Sequence, residues 1–214
     1  MVAALAVAHN VQTSYTKQAV CMGDSTVEGY GVSGIKSWPV VLSDLCPEVA
    51  VFNYGVGSRK ISTNGATGNV MWGKDTTKVD PVFKTGYRNW ELIQAGINDI
   101  TADSLSGQAT YERMTNYVGQ RLAAKAWEIA VNTITSAGTA NVTNYNAALR
   151  GQAQPWARLN DFGHGSRVAD PRLATLTDTN YYFDTTHHNA GGHAVVAERA
   201  VEIINAHRRG SFFQ

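Results

Sequence analysis

The stretch Gln18-Ala-Val-Cys-Met-Gly-Asp-Ser25 decides how the chain folds. Residues 18–22 form a short apolar run of strand length, ending on Gly23-Asp24-Ser25. A buried strand that stops on a serine holds that serine at the carboxyl edge of a sheet, where open α/β folds bind their ligands. Gly23 permits the tight turn, and Asp24 can cap the turn that follows. A serine hydroxyl is a weak nucleophile, so Ser25 needs a base within hydrogen-bond reach. Gly-Asp-Ser alone is equally an ordinary capped turn.

Outward from this point, apolar runs alternate with helical patterns, the mark of a parallel sheet flanked by helices. Further strands are expected at 49–53, 90–95 and 127–134. Helices are expected from a Ser37 N-cap through Pro39, Val40, Leu42 and Leu45, and over about 191–207, with Val196, Ala200 and Ile203 or Ile204 on one stripe. Tyr111, Met114, Val118 and Leu122 keep helical spacing and predict one amphipathic face. Residues 58–88 and 138–182 are less regular and read as loops that shape a substrate pocket. No repeat or low-complexity linker divides the chain. It reads as one domain over 1–214, with 1–17 an N-terminal extension.

Composition narrows the function. The chain has 214 residues, 43% hydrophobic and 16% charged, with a formal net charge of +1. These values suit one globular domain and not a disordered chain. No Lys/Arg run is dense enough to track phosphates; Arg208 and Arg209 read as a solvated helix end, so no nucleic-acid partner is expected. No apolar stretch approaches the roughly 20 residues of a spanning helix. The opening residues 1–8 are apolar but lack a basic segment, and are not read as a signal peptide. Cys21 and Cys46 read as small core side chains. Compartment and oligomeric state stay open.

Three further elements bear on chemistry. In Asp184-Thr-Thr-His187, an acid three residues before a histidine can reach Nδ1 and leave Nε2 free to take a serine proton. The competing reading is a solvated turn whose Asp caps a helix. In Gly96-Ile-Asn98-Asp99, the Asn98 amide can donate to a developing oxyanion, while Asp99 organises the turn. Asn53-Tyr-Gly-Val-Gly57-Ser58 carries two glycines that let a backbone N–H approach a substrate oxygen.

In this order and spacing, the elements resemble the SGNH, or GDSL, hydrolase family across essentially the whole chain. Gly23-Asp24-Ser25 matches its nucleophile block, Asn98 its oxyanion asparagine, and Asp184-x-x-His187 its acid and base block. The resemblance implies a flavodoxin-like three-layer α/β/α sandwich around a parallel sheet of about five strands. It also implies a serine esterase: Ser25 as nucleophile, His187 as base, Asp184 as its partner, and an oxyanion hole from the Ser25 N–H, Asn98 and a second backbone N–H. The family writes Asn-x-x-x-x-Gly for that donor. Counting from Asn53, this chain has Ser58 there and Gly57 one residue early, and either N–H can serve. His188 stands where the family has Pro or Leu, but the spacing from Asp184 selects His187.

No metal or organic cofactor is expected. His187, His188 and His193 cluster in sequence, yet their spacing fits no known zinc pattern. His193 reads as packing under the site and His188 as a pocket wall or surface residue. A non-catalytic carbohydrate-binding module would have no need of the full constellation. Among esterases, the polar run Ser58–Asn69 favours short acyl groups, with acetyl on a glycan ahead of lysophospholipid or thioester. Secreted and phage tail-associated family members have such substrates. The five Trp and nine Tyr are candidate sugar platforms, although most such residues are core.

Overall fold

The computed structural model describes residues 16–32, 36–61, 69–72, 75–135, 139–152, 158–160, 171–173 and 175–206. Five strands, β1 (Lys17–Gly23), β2 (Val49–Gly55), β3 (Arg88–Gln94), β4 (Glu128–Asn132) and β5 (Arg158–Asn160), form one sheet. Its order is β2-β1-β3-β4-β5 and every pairing is parallel. The helices are α1 (Ser25–Glu28), α2 (Trp38–Leu45), α3 (Ile97–Thr101), α4 (Gly107–Ala124), α5 (Ala140–Gly151) and α6 (Ala190–Ala206).

β1 and β3 are buried along almost their whole length, which is why both appear as continuous apolar runs instead of alternating ones. One face of the sheet sends Val20, Met22, Ile93, Ile129 and Val131 into a core with Tyr111, Met114 and Tyr117 of α4 and Val142, Tyr145 and Leu149 of α5. The other sends Cys21, Val49, Trp90, Leu92 and Ala130 against Trp38 and Leu42 of α2 and Val196, Ala200 and Ile204 of α6. Both faces are covered, so the layers are α/β/α as expected. Cys21 and Cys46 are buried and unbonded to each other. No helix among the described residues is long and apolar enough to cross a membrane.

The strand order reverses between β1 and β3, and that switch point is where a crevice opens beyond the carboxyl ends of the strands. Ser25 leaves β1 there and Asn98 leaves β3. Gly23 makes the approach of these strands feasible: a Cβ on it would lie 2.0 Å from the Gln94 carbonyl oxygen and 2.5 Å from Val27 Cγ2.

Several local expectations need correction. The α4 stripe does not include Leu122, which is 39% exposed. Arg121 takes the buried position instead, its Nε donating to Glu91 Oε2 at 2.9 Å and its Nη2 to Asp80 Oδ1 at 2.8 Å. A buried carboxylate on β3 needs that cation more than the core needs another leucine. Ser37 occupies the N-cap position of α2 but makes no side-chain cap bond. The Trp38 N–H is bonded by His193 Nδ1 of α6 at 3.1 Å. The stretch 138–182 is not all loop: α5, capped by Thr139, and β5 lie within it. Residues 1–15, Trp156, Arg208 and Arg209, and most of the polar run after Ile61, lie outside the described residues.

Candidate active site

Asp24 is the N-cap of α1, its Oδ1 accepting from Thr26 N at 2.9 Å and Thr26 Oγ1 at 2.8 Å. This cap starts a helix of a single turn at Ser25 and sets the serine's rotational position at the sheet edge. The Ser25 N–H is in the first turn, where amides have no partner within the helix. Asn53 braces the same turn from β2, donating to Val27 O at 3.1 Å while its Oδ1 accepts from Gly55 N at 2.9 Å.

The loop before α6 brings the second half of the site. Asp184 Oδ1 accepts from Thr186 N and His187 N, both at 2.7 Å. Its Oδ2 meets His187 Nδ1 at 2.8 Å. The three-residue spacing thus closes a tight turn on the acid's own side chain. A carboxylate only accepts, so Nδ1 carries the proton and Nε2 is left as acceptor. That Nε2 lies 2.9 Å from Ser25 Oγ. Burial pushes the Asp184 carboxyl up, but bonds from the His187 side chain and from the His187 and Thr186 backbone outweigh it and hold it below its ordinary value. It is an anion at neutral pH.

Asn98, in the first turn of α3, donates one amide hydrogen to Arg59 O at 3.0 Å, and its other hydrogen remains for the cleft. Asp99 does organise the surroundings: it is fully buried and accepts from Ile61 N and Arg113 Nη1, both at 2.9 Å. Ser58 adopts φ 59°, a left-handed conformation uncommon for a residue with a Cβ and one that clusters at functional sites. Gly57 shows no such φ, although a Cβ there would sit 2.9 Å from Glu28 Oε2. Both residues line the same open cleft of about 560 Å³ with Ser25, Glu28, Tyr30, Val56, Asn98 and His187.

The histidines divide sharply. His187 is half-buried, whereas His188 and His193 are completely buried. His188 is therefore neither pocket wall nor surface: it packs against Tyr182 and its Nε2 pairs with Thr135 Oγ1 at 3.1 Å. Burial, reinforced by His193 and His187, pushes its pKa down to about 3. Burial and then His187 push His193 down to about 4, keeping it neutral so that Nδ1 can accept from α2. Asp24 shifts the other way, raised to about 6 by burial against the opposing Thr26 bonds and His187.

Glu28, Tyr30 and Phe183 escaped the sequence reading. Each lies within a few residues of a motif residue, but nothing in residue type or spacing separates a cleft-facing aromatic from a core one. Among the described residues no candidate tryptophan platform faces the cleft: Trp38, Trp90 and Trp127 are core and Trp72 packs against the α4 core.

A family model described as the GDSL-like lipase/acylhydrolase family matches residues 21–195. No curated protein matches by sequence. Among solved structures, the chain is similar to a member of the lipolytic protein G-D-S-L family from Veillonella parvula (18% identity, 88% of this chain and 98% of that one, TM-score 0.65). It is also similar to the aryl esterase of M. smegmatis (16%, 89% and 99%, TM-score 0.64). A third similar structure is a carbohydrate acetylesterase from Sinorhizobium meliloti (14%, 89% and 99%, TM-score 0.60). At these identities the likeness is one of fold.

Proposed function

The chain belongs to the GDSL-like lipase/acylhydrolase family and is a carboxylic ester hydrolase, and on that premise we propose that it removes short acyl groups, acetyl above all, from carbohydrate esters through Ser25, His187 and Asp184. The observation that carries this reading is the continuous relay from Ser25 Oγ to His187 Nε2 (2.9 Å) and from His187 Nδ1 to Asp184 Oδ2 (2.8 Å).

Ser25 Oγ attacks the ester carbonyl carbon as its proton passes to His187 Nε2. Asp184 holds the imidazole in the required tautomer and stabilises the imidazolium. The tetrahedral oxyanion is held by the Ser25 N–H, the free Asn98 amide hydrogen and the Ser58 N–H. Ser58 is preferred over Gly57 because its backbone carries the left-handed strain, and because Asn98 is tied to the adjoining Arg59 carbonyl. Collapse of the intermediate breaks the C–O bond, and His187 returns the proton to the departing alcohol. Water then attacks the acyl-serine with His187 again as base, releasing the acid and restoring Ser25.

The cleft's openness and mixed lining support a short acyl group. Among the described residues that line it, Val56 and Tyr30 are the only large apolar side chains, too few to envelop a fatty chain.

The test is turnover of p-nitrophenyl acetate, butyrate and octanoate by wild type and Ser25→Ala. The expected result is highest kcat/KM on acetate and at least a ~1,000-fold loss in the variant. Preference for octanoate would overturn the short-acyl assignment and move lysophospholipid or thioester substrates ahead. Absence of turnover on every ester would overturn the hydrolytic reading.

A further inference from the structure

Large exposed hydrophobic side chains are few among the described residues, and three of the five, Tyr30, Val56 and Phe183, gather at the catalytic cleft. Phe183 is 58% exposed and Tyr30 55%. Their rings meet edge to face, with centroids 6.0 Å apart and planes at 83°. The Tyr30 ring also lies 4.5 Å from that of His187. Leaving two aromatic rings in water is unfavourable, and such a patch beside a reactive group marks a binding surface.

The arrangement is built into the backbone. Gly31 has φ +88°, and a Cβ on it would sit 2.9 Å from Phe183 Cβ and Cγ. Any larger residue there would displace the ring. The Phe183 N–H donates to His187 O at 2.8 Å, so the ring rides on the same short loop as the Asp184–His187 pair.

Mechanism assigns the side of the cleft. His187 Nε2 protonates the leaving oxygen, so the alcohol half of the ester must depart past His187, while the carbonyl oxygen points towards Asn98 and Ser58. Tyr30 and Phe183 stand on the His187 flank. The fixed charges at this rim are acidic: Glu28 on the cleft wall and Asp184, already paired with His187. No Lys or Arg is among the described residues that line the cleft.

We propose that Tyr30 and Phe183 form a subsite for the alcohol half of the substrate, taking an uncharged pyranose ring whose C–H face stacks on the aromatic rings and whose hydroxyls donate to Glu28. This rests on the hydrolytic reading above and extends it. A carboxylate beside an aromatic face supplies what a sugar needs, an apolar platform and a hydroxyl acceptor, and it repels phosphorylated or acidic alcohols.

The experiment compares kcat/KM for methyl 6-O-acetyl-glucopyranoside, phenyl acetate and ethyl acetate in wild type, Tyr30→Ala, Phe183→Ala and Phe183→Tyr. Both rings are more than half exposed, so the variants should retain the wild-type melting temperature, which is measured alongside. Wild type is expected to favour the glycoside over ethyl acetate by about tenfold or more. Either alanine variant should reduce that preference to less than about threefold, and Phe183→Tyr should retain it. Ethyl acetate turnover without any glycoside preference, or a preference untouched by both alanine variants, overturns the subsite and leaves the hydrolase standing. Selective loss on phenyl acetate alone overturns the sugar assignment in favour of an aryl alcohol. Failure of wild type on all three esters removes the hydrolytic reading itself.

Discussion

Asp24 offers a perturbation whose size and sign both follow from its position. Its carboxyl is fully buried, with Oδ1 bonded to Thr26 and Oδ2 without a hydrogen-bond partner. Burial raises its pKa from 3.8 to about 6, against the Thr26 bonds and the pull of His187. The folded state therefore holds this proton more tightly than the unfolded chain. Below pH 3.8 both states are protonated and the folded state bears no penalty. As pH rises from about 4 through 6 the folded state must ionise a buried acid, and stability is lost up to a plateau. The difference between 3.8 and about 6 corresponds to on the order of 3 kcal/mol. Asp24→Asn keeps an oxygen acceptor for Thr26 but cannot ionise. Urea unfolding of both proteins between pH 4 and 8 isolates the effect, because titrations of Asp184, His188 and His193 are common to both and cancel in the difference. The variant should gain stability relative to wild type as pH rises, the gain levelling off above pH 6 to 7. A difference independent of pH, or one that favours wild type increasingly above pH 6, would refute the reasoning.

Three other outcomes follow from packing and site geometry. Gly23→Ala places a methyl 2.0 Å from the Gln94 carbonyl and should force β1 and β3 apart, costing more than about 4 kcal/mol by thermal or urea denaturation. Arg121→Ala removes the cation bound to the buried Glu91 and should cost about 3–5 kcal/mol in the same assay. Asn98→Ala should lower kcat on p-nitrophenyl acetate by about 100- to 1,000-fold with little change in KM, as read from initial rates.

How much was legible depended on how far each element is governed by its own residues. The central strands could be read because β1 and β3 are buried on both faces, and such burial leaves an unbroken apolar run. Ser25, Asp184 and His187 could be named because their geometry is largely local: a strand end carries the serine, and the acid closes a three-residue turn on its own histidine. The Asn53 block could be placed, but its departure from the family pattern left Gly57 and Ser58 undecided. The backbone conformation of Ser58 and the bond from Asn98 to the adjoining Arg59 carbonyl weigh between them. α5 was missed because Asn141, Thr143, Asn144 and Asn146 mask the spacing of Val142, Tyr145 and Leu149. Asn146 is in fact buried, its amide bonded to the backbone of Ile134 on both sides. β5 has only three residues and no pattern of its own. The cap of α2 comes from His193, 155 residues away, a partner that no local rule supplies. His188 was misplaced for the same reason: its hydroxyl partner, Thr135, follows β4.

The account turns on Ser25 being the nucleophile, and a fluorophosphonate probe followed by peptide mass spectrometry tests this most directly. The expected result is one adduct, on the peptide containing Ser25, formed rapidly by wild type, slowed at least ~100-fold in His187→Ala and absent in Ser25→Ala. An adduct on another residue, or labelling of Ser25→Ala equal to that of wild type, would contradict the account.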